Sequence, residues 1–208
     1  MRKRAWKIWG GANCKAPIIL RTHYNVDDDG EIEKYAKASD NYFRGADWSV
    51  LNSSELFSFG PDWQQVFYIL PEIAGCRSDY RRDKGCQNGP TTVEAGPESI
   101  LLKDNLVAIS LLHSISIAWV FIVDKEAFET HQLQVVYLDG KQNVTVQGRV
   151  EVKKDILHEI MLNWEEGAPP GPVFNEGTPG KKYLLGSEPG RKFSQLTHSD
   201  LVDEEDSD

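Results

Sequence analysis

Three polar side chains stand where the chain's apolar segments end. Arg21 and His23 follow Ile18-Ile19-Leu20, and Asp124 follows Phe121-Ile122-Val123. Open αβ sheets bind ligands beyond the ends of their strands, so these residues at one sheet edge would form a polar site for a small ligand or for acid–base work. His23, between Arg21 and the run Asp27, Asp28, Asp29, suits an anionic ligand or a metal. Asp139 closes a second strong segment, Leu133–Leu138, and an Asp124/Asp139 pair on neighbouring strands would suit Mg²⁺. Each aspartate also has a plainer use, and that use is preferred. Asp124 is placed to cap a helix starting at Lys125, and Asp139-Gly140 is a turn dipeptide.

Other clusters carry less. His113, His131, His158 and His198 are scattered with no metal-ligand spacing, and Asp27–Asp29 with Gly30 lacks the alternating oxygens of a calcium loop. Cys76 and Cys86 flank an arginine-rich stretch that would lower a thiol pKa, but their spacing is neither a redox pair nor a zinc knuckle. No phosphate-binding glycine loop, H-E-x-x-H or G-x-S-x-G occurs. Trp48, Trp63 and Trp164 lie near element ends as core anchors or contact residues, with core preferred. No metal and no cofactor are expected.

The elements that must position these residues centre on Leu106–Val123, an uncharged apolar run long enough to raise the question of a membrane span. Its spacing changes midway. Leu101, Ala108, Leu111, Leu112 and Ile115 recur at three and four residues, whereas Ile115, Ile117, Trp119, Phe121 and Val123 alternate, so the first half reads as helix and the second as strand. Serines and His113 inside the run, and mixed charges at both flanks, count against lipid. A soluble domain is the preferred reading.

Around that centre, Pro17–Thr22 reads as a strand, Glu31–Ala38 as a helix, Trp48–Leu51 and Val66–Leu70 as strands, and Asp124–Thr130 as a short helix. Leu133–Leu138 and Val144–Val150 read as an antiparallel pair turned at Asp139-Gly140. A last helix, Val152–Trp164, carries a stripe of Val152, Ile156, Ile160 and Trp164 and closes at Gly167. Gly75–Pro97 is polar and reads as a long surface loop.

With 208 residues and a net charge of -9, the chain can bury one sizeable core and is a poor match for nucleic acid, whose phosphates need a cationic surface. Three cysteines and no secretory segment point to a reducing, cytoplasmic setting, where the two N-x-S/T matches at Asn52 and Asn143 are chance. The charge is polarised, with Arg2, Lys3, Arg4 and Lys7 around Trp6 and Trp9 at the start and acid at the end.

The strings Ile18-Ile19-Leu20-Arg21-Thr22, Phe121-Ile122-Val123-Asp124 and Val135-Val136-Tyr137-Leu138-Asp139 resemble the first and two central strands of a family of small uncharacterised αβ domains of bacteria and fungi. Asn163-Trp164-Glu165-Glu166-Gly167 is similar to that family's turn after its last strand. The resemblance implies a fold and no activity.

The expected fold is therefore a single α+β (or α/β) domain over residues 16–167, with helices packed on a mixed sheet. A basic tail, 1–15, and a Pro/Gly-rich acidic tail, 168–208, are expected to be disordered. The expected role is a non-enzymatic interaction or accessory domain with a protein partner. The alternatives are an enzyme or small-ligand binder using Arg21, His23 and Asp124, and a membrane-associated protein spanning at 106–123.

Overall fold

In the computed structural model, which describes residues 1–9, 18–40, 49–74, 112, 116–166 and 177–183, the chain forms an α+β fold on a mixed six-stranded sheet. The strands are β1 (Ile18–Arg21), β2 (Ser49–Leu51), β3 (Ala118–Val123), β4 (Gln132–Leu138), β5 (Val144–Glu151) and β6 (Thr178–Pro179), in the order β2-β1-β3-β4-β5-β6. β1 runs parallel to β2 and β3, and β3 through β6 pair antiparallel. The helices are α1 (Arg2–Trp9), α2 (Asp29–Asp40), α3 (Ser54–Phe57), α4 (Val66–Ile69), α5 (Lys125–Thr130) and α6 (Lys154–Glu166).

β3 is buried at every residue, so it needs cover on both sides. Its side chains alternate between two cores, as the period of two in a strand dictates. On the first face, Trp119, Phe121 and Val123 pack with Ile19, Val135 and Tyr137 of the neighbouring strands and with α2 and α6. On the second, Ala118, Val120 and Ile122 pack with Ile18, Leu20, Val136 and Leu138, and with Ala5 of α1, Leu56 and Phe57 of α3, and Val66 of α4. The first core is aromatic: Trp119 meets Phe121 edge-on at 4.9 Å, and Tyr137 lies 5.8 Å from Trp164.

The expected strands at Pro17–Thr22, Trp48–Leu51, Leu133–Leu138 and Val144–Val150 and the helix after Asp124 are all present within a residue or two. The hairpin β4–β5 carries a bulge: Tyr137 lies opposite both Thr145 and Val146, which returns Val144 to the second face beside Leu138. α6 begins later than expected, and its buried face is Leu157, Ile160, Met161 and Trp164. That spacing follows the helical period better than an i, i+4 stripe does, and it leaves Ile156 partly buried and Val152 ahead of the helix. Asn163–Glu166, expected from the resemblance to be a turn after a strand, belong to α6.

Within Val66–Leu70 the chain is helical over Val66–Ile69, not a strand, with Leu70 at the helix end. Its β-branched and aromatic composition suggested a strand, but a strand would put residues 66, 68 and 70 on one face. Val66 and Leu70 are fully buried while Tyr68 is 90% exposed, which only a helical turn accommodates. The start of the chain, expected to be disordered, forms α1. Its Ala5 is fully buried, and Arg2–Glu72 and Arg4–Glu55 ion pairs tie it to the layer below. The stretch after residue 168 likewise contributes to the sheet through β6, next to Gly180 and the buried Tyr183. The rest of both expected tails and the loop 75–97 lie outside the described residues.

Of the apolar run, residues 106–111 and 113–115 also lie outside the described residues, and from Ala118 the chain is strand. Among the described residues no helix is long and apolar enough to cross a membrane.

Gly180 is required where it stands, because a Cβ there would fall 2.0 Å from the carbonyl oxygen of Val144. Gly180→Ala should therefore push β6 off β5 and lower the urea unfolding free energy by about 1–3 kcal/mol. An unchanged midpoint would remove β6 from the sheet. Two tyrosines give a pH signature. Burial pushes the Tyr24 phenol up to about 12 against the opposing effects of the Ser53 amide and Arg21, and burial with the Asp139 carboxylate pushes Tyr183 up as well. Each holds its proton more tightly folded than unfolded, so stability should be full below pH 10 and fall as pH rises through about 12. Tyr24→Phe with Tyr183→Phe should flatten that decline; an equally steep decline in the double variant would contradict it.

Candidate functional site

Arg21 and Asp124 end neighbouring parallel strands, yet they face opposite sides of the sheet. Arg21 pairs in register with Val123 on the first face, and Asp124, one residue further, turns to the second. Arg21 is 1% exposed and fully engaged. Its Nε donates to the His23 carbonyl at 2.8 Å, its Nη1 to Asp29 Oδ1 at 2.6 Å and its Nη2 to the Asn25 carbonyl at 3.1 Å. Its guanidinium also lies 4.6 Å from the Tyr24 ring and 5.3 Å from that of Phe128. Arg21 thus fastens the loop between β1 and α2. His23 sits in that loop, 3.8 Å from Asp28 Oδ2 and beside Phe128. The structure brings Arg21 and His23 together and leaves Asp124 apart from them.

Asp139 is farther still from Asp124. Because β3 and β4 run antiparallel, their C-terminal ends lie at opposite ends of the sheet, so the carboxylate pair does not form. Asp139 is a clamp: its oxygens accept from the Lys141 and Asn143 amides at 2.8 Å each, from Asn143 Nδ2, and from the Tyr183 hydroxyl at 2.9 Å. Among the described residues no group of three or more His, Cys, Asp or Glu is placed to hold a metal ion.

Asp124 does two structural tasks at once. Its Oδ1 accepts from the Ala127 amide at 2.9 Å, capping α5, and its two oxygens accept from Arg149 Nη1 at 2.9 Å and Nη2 at 2.5 Å. Arg149 also donates to Glu126 at 2.7 Å and to the Gln132 carbonyl at 3.2 Å. Burial alone would lower the Arg149 pKa, but the hydrogen bonds and charges of Asp124 and Glu126 outweigh it and raise it. Two carboxylates thus share one guanidinium.

That cluster forms one end of a cleft of about 430 Å³ on the second face. Gln134, Gln147, Arg149 and Asp124 make its floor, and the turns over Gly60–Gln65 make its wall with Trp63 and Gln64. The wall is held by Gly60, whose φ of 55° suits glycine and whose amide donates to the Thr22 carbonyl at 3.0 Å, beyond the end of β1. A second cleft of about 400 Å³, lined by Gln65, Phe67, Tyr68, Lys141 and Gln142, meets the first at Gln64. Together they form a groove between the α4 side and the β4–β5 hairpin.

Five of the chain's eight glutamines line this groove: Gln64, Gln65, Gln134, Gln142 and Gln147. On its floor Gln134 Nε2 donates to Gln147 Oε1 at 3.0 Å across the strands. None of the described lining residues is Ser, Thr, Cys or His. The groove thus offers many hydrogen-bond donors and acceptors on neutral groups. Of the residues singled out in the sequence, only Asp124 and Trp63 reach it. The signal for the rest was the interruption of apolar strands at alternate positions, Gln134 between Leu133 and Val135, and Gln147 and Arg149 on either side of Gly148.

The chain matches no family model, no curated protein and no solved structure.

The Asp124–Arg149 contact should prove structural. Asp124→Ala removes a cap and a charge-assisted pair and should cost about 2–4 kcal/mol in urea unfolding. A double-mutant cycle with Arg149→Ala should return a coupling of about 1–3 kcal/mol. Additive losses would show that the pair does not act as one unit.

Proposed function

We propose that this protein is a non-enzymatic recognition domain that takes an uncharged, polar ligand in the groove on the second face of its sheet. One observation supports this above the others, the concentration of five glutamines from three separate stretches of chain along one groove. A carboxamide is a poor nucleophile and does not titrate, but it both donates and accepts hydrogen bonds, which is the chemistry of orientation and selection. The ionic groups of the floor hold each other, Asp124 against Arg149 and Arg149 against Glu126, while the exposed Lys181, Lys141 and Asp62 lie along the groove with both signs present. Binding is the activity that such a lining serves best.

Residues kept for recognition are not those that hold the fold. Gln134→Leu and Gln147→Leu should leave the unfolding free energy within about 0.5 kcal/mol of the parent, since both side chains are only partly buried. An NMR screen of small polar fragments against the ¹⁵N-labelled full chain should move the side-chain amide signals of Gln64, Gln134 and Gln147 first. The double leucine variant should lose those shifts while remaining folded. Fragments that cluster instead at His23 and Asp28, or that cluster nowhere, would overturn the proposal.

A further inference from the structure

We infer that the ligand of this groove is a neutral oligosaccharide, a deduction that rests on the groove being a binding site. The hydrogen bond between the two floor glutamines uses Gln134 Nε2 and Gln147 Oε1. That leaves Gln134 Oε1 as an acceptor and Gln147 Nε2 as a donor on adjacent strands that line the cleft. A hydroxyl group donates and accepts through a single oxygen, so the closely spaced hydroxyls of a sugar can answer an acceptor and a donor alike. A peptide group carries its N–H and C=O on different atoms pointing apart, and answers such a pair poorly.

Three further features agree. Charge balance is the first: Arg149, Lys141 and Lys181 stand against Asp124, Glu126 and Asp62 along the groove, so the two signs are equal in number and no excess calls for an anion or a cation. The second is Tyr68, 90% exposed, which lines the second cleft with an open ring face and a polar tip. An aromatic ring of this kind packs against the C–H face of a pyranose while its hydroxyl stays wet. Length is the third, because two clefts joined at Gln64 suit a ligand of several linked units rather than one.

Polypeptide recognition fits less well. The groove lies on the face of β4 and β5, where a ligand meets side chains rather than the backbone groups that strand addition uses. Proline-rich segments need a ridge of several exposed aromatics, and of the aromatics lining the groove Trp63 and Phe67 are 8% and 9% exposed and packed against each other, which leaves Tyr68.

The test is titration of the ¹⁵N-labelled full chain with hexasaccharides of β-1,4-glucose, α-1,4-glucose and β-1,4-N-acetylglucosamine. A uronic acid hexamer and a capped glycine–serine peptide of similar length serve as counter-probes. At least one neutral hexasaccharide should give saturable shifts at Gln64, Gln134 and Gln147 with Kd below about 1 mM. Tyr68→Ala should weaken binding up to about tenfold, the loss of one ring contact. Gln134→Leu with Gln147→Leu should weaken it by at least about tenfold. Failure of all three neutral sugars, or equal or tighter binding of the uronate or the peptide, overturns the inference. If polar fragments still bind the groove in that case, the recognition reading stands and only the ligand class falls; if fragments also fail, both fall.

Discussion

The fold depends on β3 being apolar on both sides. A strand with six consecutive buried residues cannot lie at a surface, so the chain must supply one helical layer over Trp119, Phe121 and Val123 and another over Ala118, Val120 and Ile122. It does so from both directions in sequence. α2 and α6 cover the first face, while α1, α3 and α4 cover the second, which is why a helix as near the start as Arg2–Trp9 is drawn into the structure. The same demand fixes strand order. β3 sits beside β1 on one side and β4 on the other, the most shielded place the sheet has.

β3 is also the seam between a parallel and an antiparallel half, and two arginines secure it. Arg21 binds the loop leaving the parallel half, with three hydrogen bonds and two aromatic faces around one buried guanidinium. Arg149 binds the reversal through α5, gripping the same aspartate that caps the helix. Withdrawing a cation from water is costly unless it is answered, and the buried Arg21 and the partly buried Arg149 are both answered by carbonyls and carboxylates that only the folded chain assembles. The charges that look most like chemistry in the sequence are in this way consumed by architecture.

Strand positions and their pairing were legible because β-branched runs and the Asp139-Gly140 turn speak through local period and turn chemistry. The class, α+β, followed from them. Two things were not legible locally. The five residues Val66–Leu70 are too short for their period to be read, and only the exposure of Tyr68 against the burial of Val66 and Leu70 shows a helical turn. The groove was hidden for a different reason: Gln64 is far in sequence from the hairpin that carries Gln134 and Gln147, and each looks like an ordinary surface residue. Arg21 and Asp124 appeared neighbours because they end adjacent parallel strands, but a one-residue offset sends them to opposite faces.

That offset explains why a groove exists at all. On the second face the helical cover reaches β1 and β3, where every inward residue is apolar, and β4 stays apolar there only at Val136 and Leu138. At Gln134 the same face turns polar, and it continues polar across Gln147 and Arg149 of β5. A helix packed over those residues would strand their donors and acceptors from water, at a cost of about 1–3 kcal/mol for each group left unsatisfied. The cover therefore stops at the turns over Gly60–Gln65, whose wall meets the floor at an angle set by the Gly60 amide on Thr22. The groove is the boundary between a face that must be dry and one that cannot be, and a ligand rich in hydroxyls is a way to close that boundary without leaving the carboxamides unpaired.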